Sequence, residues 1–508
     1  MSAAGAALAA VLLLPALGAA AVAALPARWD RAARALATAV AAGTLAAAAL
    51  LGVAGDRGAA RWARVDVPWV PALDLRLHLA VDGISYPLVV LTALLTLLCC
   101  AHTWWRAPRG GPGRYLSALV LAVAVGALGT FLAWDLVLFV CFFEVVLLPM
   151  YAVIAFWGGP RRRPAARLFA LYTLAGSVLL LVGALVVVRA AGTGDLAALT
   201  GGGLLGRGTQ YTAFALLAVA FAVKAPLWPL HTWLPAAHTE APTVGSVLLA
   251  GILLKLGTYG FIRVGVGVAP EAALAARPVL GALATAAIIV GALVCLAQRE
   301  LKRLVAYSSV GHMGVVLLGV ATLTDAGMRA ALVGNVAHGL ITGLLFFLAG
   351  AVRDASGTGE LHALGGLRER APALAGVLAF AGAASLGLPG LAGFWGEAFA
   401  VVGAWELGGP YWRTLAALAA VGGALTAAYV LRMLRLVSHG PASPAVAAMA
   451  TPARAQWGAW GPLVAATLVL GLAPAVVLQP AREPVAALLR PVADPPAGAT
   501  APAPGGGR

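Results

Sequence analysis

The chain has 508 residues, 62% of them hydrophobic and 10% charged, with a mean hydropathy of +0.94. No water-soluble core accounts for such a composition, and apolar stretches of about 20 residues, each long enough to cross a bilayer as a helix, recur from end to end. The net charge of +15 does not point to nucleic acid, because the arginines gather in short links between those stretches.

About 14 transmembrane helices are predicted, making the fold class an all-α polytopic membrane protein. The spans are 3–25, 34–54, 83–105, 115–133, 136–158, 168–190, 212–235, 243–264, 278–298, 304–323, 329–351, 371–405, 414–437 and 457–479. No positive charge precedes the first stretch, whose first following arginine is Arg28, so it reads as a retained helix rather than a cleaved signal. The arginine clusters occupy alternate links: Arg28, Arg31 and Arg34; Arg106, Arg109 and Arg114; Arg161, Arg162, Arg163 and Arg167; Arg299, Lys302 and Arg303; Arg353, Arg368 and Arg370. The positive-inside rule places these links in the cytoplasm and both termini on the other side. The link 55–78 runs against the rule with Arg57, Arg61, Arg64 and Arg76, accompanied by Asp56, Asp66 and Asp74.

Two spans are interrupted by proline. Pro226 and Pro229 break 212–235, and Pro389 with Gly390 breaks 371–405, which is too long for one straight crossing. Proline removes an amide donor and frees carbonyls, which a membrane tolerates only against protein or a water-filled cavity. Paired broken helices are the sequence sign of an internally repeated transporter with its pathway near the midplane. The tail from residue 480, rich in Pro, Ala and Gly and without periodicity, is expected to be disordered. Cys99, Cys100, Cys141 and Cys295 lie in apolar stretches without metal-ligand spacing, so no zinc or iron–sulfur site is expected.

Ionisable residues inside the spans carry the functional reading. Of 34 basic residues only three are lysine, and Lys224 and Lys255 stand in the middle of apolar segments. Arginine keeps its proton under nearly all conditions, whereas a buried lysine can release it near neutral pH. Snorkelling of a lysine stem to the interface is the alternative. Glu144 and Glu397 are carboxylates at similar depth; each is either a titrating group or a neutral acid hydrogen-bonded to a helix. His231, His238, His312 and His338 are relay groups or satisfied core histidines. Asp135, Arg263 and Glu300 lie near span ends and read as interfacial. Together the buried groups form titratable stations across a membrane, suited to conducting protons.

The stretch FAVKAPLWPLHTWLPAAHTEAPTVGSVLLAGILLKLGTYG, with LVAYSSVGHMG, NVAHGLITGLLFFLAG and GLPGLAGFWGEAF, resembles the antiporter-like subunits of respiratory complex I over roughly residues 80–440. The resemblance implies two inverted five-helix repeats, each with a broken helix: 115–264 (helices 4–8) and 278–437 (helices 9–13), after N-terminal helices in 1–114 and before a last helix at 457–479. It further implies an interacting Glu144–Lys224 pair, Lys255 as the central proton station, and the four histidines as connecting groups. Several relatives place lysine at the station of Glu397; one branch has glutamate, and Glu397, VDGIS at 81–85 and the chain length favour that branch. Ala236 stands where relatives often have aspartate.

On this resemblance the chain is one subunit of a proton-translocating NADH:quinone oxidoreductase and performs no redox chemistry itself. NADH, flavin, iron–sulfur clusters and quinone are expected in other subunits, with no cofactor or metal on this chain. Its expected partners are other membrane subunits, especially neighbouring antiporter-like ones, and the lipid bilayer. A sodium/proton antiporter subunit and a hydrogenase-linked homologue are the alternatives.

Overall fold

The computed structural model describes residues 2–57, 59–70, 75–106, 110–450 and 453–493. Arg109, Asp74 and the tail beyond residue 493 lie outside the described residues. Among the described residues, 12 helices are long and apolar enough to cross a membrane. Two further crossings are broken helices: Arg207–Lys224 followed by Trp233–Glu240, and Pro372–Ser385 followed by Ala392–Glu406. The breaks fall at the prolines that interrupt the two apolar runs.

The five-helix unit occurs twice, and the same local contacts mark both copies. Asp135 and Glu300 cap helices by accepting from the amides of Leu138 (2.9 Å) and Arg303 (2.6 Å). Leu136 N donates to Gly194 O and Leu301 N to Gly359 O, both at 2.8 Å. Helices Arg162–Ala191 and Asp325–Ser356 both end on a left-handed glycine, Gly192 and Gly357. The broken helices begin at Arg207 and Pro372. Each second position (301, 359, 357, 372) follows its counterpart (136, 194, 192, 207) by 165 residues. Five crossings separate the counterparts, an odd number, so the second unit runs through the membrane in the opposite sense.

Helices Thr243–Val266 and Asp325–Ser356 are the most enclosed of the 12. They approach closely because small residues face each other: a Cβ on Gly339 would lie 3.0 Å from the carbonyl oxygen of Gly251. Lys255 is one turn beyond Gly251, and His338 adjoins Gly339. That close approach positions the site.

Three details go beyond or against the sequence reading. First, among the described residues the helical fold carries one two-stranded antiparallel hairpin, Ala63–Val70 with Leu75–Val81, which begins in the link 55–78. Arg76 and Arg64 donate to Asp66 and hold its carboxyl down to about 2, so the basic residues of this link are partly neutralised on the hairpin itself. Second, residues 480–493 are not a loose tail: they continue the helix Ala475–Ala493, which packs on helix Asp325–Ser356. Its buried stripe of Val477, Ala481, Val485 and Leu488 outweighs the amides lost at Pro480, Pro484 and Pro491. Third, Arg263 is not interfacial. It is buried and ion-paired with the buried Asp82 just after the hairpin, with its guanidinium 4.6 Å from the Trp134 ring centroid. The hairpin and Trp134 cover what the hydropathy pattern presents as a span end.

Candidate proton-transfer site

Lys224 is the last residue of the first half-helix, where the free carbonyl ends of Arg207–Lys224 favour a positive charge. It is buried, and its Nζ sits 4.9 Å from the centroid of Phe143. Glu144 follows Phe143 and interacts electrostatically with Lys224, but no direct ion pair joins them. Glu144 is half-buried near the outer face, and its Oε1 is buried without a hydrogen-bond partner. The two residues expected to pair therefore interact electrostatically without a direct ion pair, and the close neighbour of the Lys224 ammonium is the Phe143 ring.

Lys255 lies between two π-helical segments, Leu249–Leu253 and Phe261–Val266. The widened turn leaves the Ala250 carbonyl available, and Lys255 Nζ donates to it at 2.6 Å. The same Nζ is 2.5 Å from His338 Nδ1. This contact is satisfied with the proton on either side: an ammonium can donate to Nδ1, or Nδ1–H can donate to an amine. His338 Nε2 is buried and has no protein partner.

His312 continues the row, its ring centroid 5.8 Å from that of His338. The second broken helix exposes the Ser385 carbonyl, and His312 Nε2–H donates to it at 3.0 Å. That assignment leaves Nδ1 as an acceptor, buried and unpartnered. Glu397 Oε1 lies 4.0 Å from His312 Nε2. A cavity of about 30 Å³, lined by His338, His312, Ser385 and Glu397, joins these groups and has room for about two waters.

The other two histidines lie on helix Trp233–Glu240 and in the break just before it. His238 is fully buried, stacks on Phe346 with centroids 4.6 Å apart, and has no partner for either ring nitrogen. It is within electrostatic reach of Lys255 and His338. His231 meets Tyr307 edge-on at 6.3 Å. The structure thus brings Lys255, His338, His312 and Glu397 into one row, sets His238 beside it, and makes no contact from His231 to Lys224 or Lys255.

Sequence reasoning missed Lys302, which it grouped with the arginines of a surface link. Lys302 is buried and donates to Ala241 O at 2.7 Å. All three lysines of the chain are therefore buried, and their rarity against 34 basic residues was the signal. Glu240 was also missed; it is buried at the end of Trp233–Glu240 and accepts from Arg161 N at 2.9 Å.

Comparison with known proteins places this arrangement. Residues 133–426 match the family model described as "NADH:quinone oxidoreductase/Mrp antiporter, TM", which is more than half of the chain. The chain belongs to this family. Relatives include the NAD(P)H-quinone oxidoreductase chain 4 1 of Synechococcus sp. (strain JA-3-3Ab), 42% identical over 74% of this chain and 72% of that one. The NADH-quinone oxidoreductase subunit M of Rhodobacter capsulatus is 39% identical over 81% of both chains. In three dimensions the chain is similar to one in the respiratory complex I from Thermus thermophilus, with a TM-score of 0.84, 31% identity and coverage of 95% of this chain and 99% of that one. The matched region contains Lys224, Lys255, both glutamates and the four histidines.

Proposed function

We propose that this chain is a proton-translocating membrane subunit of an NADH:quinone oxidoreductase, of the subunit M type. The observation that carries the reading is the row Lys255, His338, His312 and Glu397, in which the first contact is a hydrogen bond with the proton on either partner. The relatives named for quinone oxidoreductases support the redox-driven assignment.

In this reading Lys255 gives a proton from Nζ to His338 Nδ1. His338 releases one from Nε2 through cavity water to His312 Nδ1, and Glu397 receives it beyond. Each imidazole takes a proton on one nitrogen and gives it from the other, then resets by ring or tautomer exchange. Lys224 feeds the row by way of His238, and Glu144 sets how firmly Lys224 holds its charge. NADH, flavin, iron–sulfur clusters and quinone belong to other subunits. The arginine-rich end faces the cytoplasm and both termini the opposite side.

Affinity purification through this chain tests the assignment. NADH-oxidising subunits copurify, and inverted membrane vesicles carrying Lys224→Ala take up far fewer protons per NADH oxidised than the parent. A chain isolated without such subunits, exchanging sodium for protons on its own, would contradict the reading.

A further inference from the structure

Lys302 and the cavity beside it are not used by the row just described. The cavity, of about 340 Å³, lies at the arginine-rich end, where Arg106 and Asp354 pair at 3.2 Å and are partly exposed. Its wall includes Lys302, Glu240, Ala241, Arg353 and His102. Lys302 is 3% exposed and forms no direct ion pair among the described residues. Its one close protein contact is the Ala241 carbonyl, at the turn that ends helix Trp233–Glu240.

His238 lies on that same helix, one turn before Ala241. It is fully buried, both ring nitrogens lack a protein partner, and it is within electrostatic reach of Lys302 on one side and Lys255 on the other. A buried imidazole without protein partners requires water or a transferable proton to avoid the cost of two unsatisfied nitrogens. A polar cavity of this size holds water at Lys302 and Ala241, one helical turn from His238, and a bridging water beyond its wall would complete the path.

We propose that this cavity is an aqueous access route for protons, and that Lys302 is the station that passes them to His238. The step is balanced: an Nζ–H bond of Lys302 breaks, an N–H bond forms on His238 through bridging water, and cavity water reprotonates Lys302. Glu240, whose carboxyl group accepts from Arg161 N, lines the same cavity beside Lys302. This route rests on the functional reading above and adds a further station to it.

A structural lysine that only caps helix Trp233–Glu240 needs a positive donor, which arginine also supplies; a proton station needs a group that releases its proton, which arginine does not. The test is NADH-driven proton uptake by inverted vesicles containing the whole complex, at equal assembly. Lys302→Arg is expected to lower uptake per NADH by about tenfold; uptake equal to the parent overturns the inference. A second measurement stands if that variant fails to assemble. Arg353→Cys, in a chain with Cys141→Ser, is modified with a bulky cationic thiol reagent that restores the charge while filling the cavity. Loss of uptake on modification supports the route, and unchanged uptake refutes it. Lys224→Ala run in parallel separates the two claims: parental uptake there removes the functional reading itself, whereas its loss alongside normal Lys302→Arg removes only the access route.

Discussion

Lys255 and His338, 83 residues apart in sequence, meet at 2.5 Å in the interior of the two most enclosed helices. The contact depends on a π-helical turn that aims the lysine and on glycines that let the helices close. A charge in that position is shielded from lipid, so its proton state is set by its few protein neighbours and by the small cavity beside His338.

The pair at the first half-helix predicts unequal tolerance at Lys224. Lys224→Arg keeps the charge at the helix end but cannot release a proton, so proton uptake falls about as far as in Lys224→Ala, by roughly tenfold or more. Glu144→Gln removes the charge that acts on Lys224, and it also lowers uptake while the chain still inserts. Vesicle assays at equal assembly check both; normal pumping in the arginine variant would sink the deprotonation argument.

Glu397 is predicted to need titration rather than shape. It lines two water-sized cavities and stands 4.0 Å from His312. Glu397→Lys, a group that titrates at that depth, retains part of the uptake, whereas Glu397→Gln loses most of it. If the carboxyl served only as a hydrogen-bond donor the order would reverse, and the two variants compared in one reconstituted complex decide.

Much of this was legible in the sequence for a physical reason: a membrane penalises ionisable groups so heavily that Lys224, Lys255, Glu144 and Glu397 stand out without any tertiary information. Proline marked both broken helices in the same way. Lys302 was hidden because hydropathy cannot distinguish a basic residue at a span end from one folded under a neighbouring loop. Arg263 was hidden likewise, since its partner Asp82 is 181 residues away. The helix through 480–493 escaped because three prolines outweigh a short apolar stripe locally, and only the surface it packs on reverses the balance. The internal repeat was legible in the paired broken helices and in the family resemblance rather than in matching residues, because architecture is duplicated while chemistry is not. At a spacing of 165 residues, Lys255 corresponds to Ala420 and Glu144 to Ser309.

The Asp82–Arg263 pair predicts a stability defect separate from transport chemistry. Asp82 also accepts from the amides of Ile84 and Ser85, so it joins the hairpin, helix Tyr86–Trp105 and helix Thr243–Val266. Asp82→Asn leaves a buried guanidinium without its counter-charge and destabilises by about 3–5 kcal/mol. Replacing both partners by apolar residues of similar size costs much less. Thermal denaturation of the detergent-extracted complex measures this; equal losses in the single and double variants would contradict the pairing.

The most direct test of proton transfer through this chain is the number of protons translocated per NADH in reconstituted complex carrying Lys255→Arg. Arginine preserves positive charge and a donor toward Ala250 and His338 but cannot give up its proton to Nδ1. A row that conducts through Lys255 predicts that electron transfer persists at some rate while the proton count per NADH falls below that of the parent. A complex whose Lys255→Arg variant assembles normally and translocates the parental number of protons would contradict it.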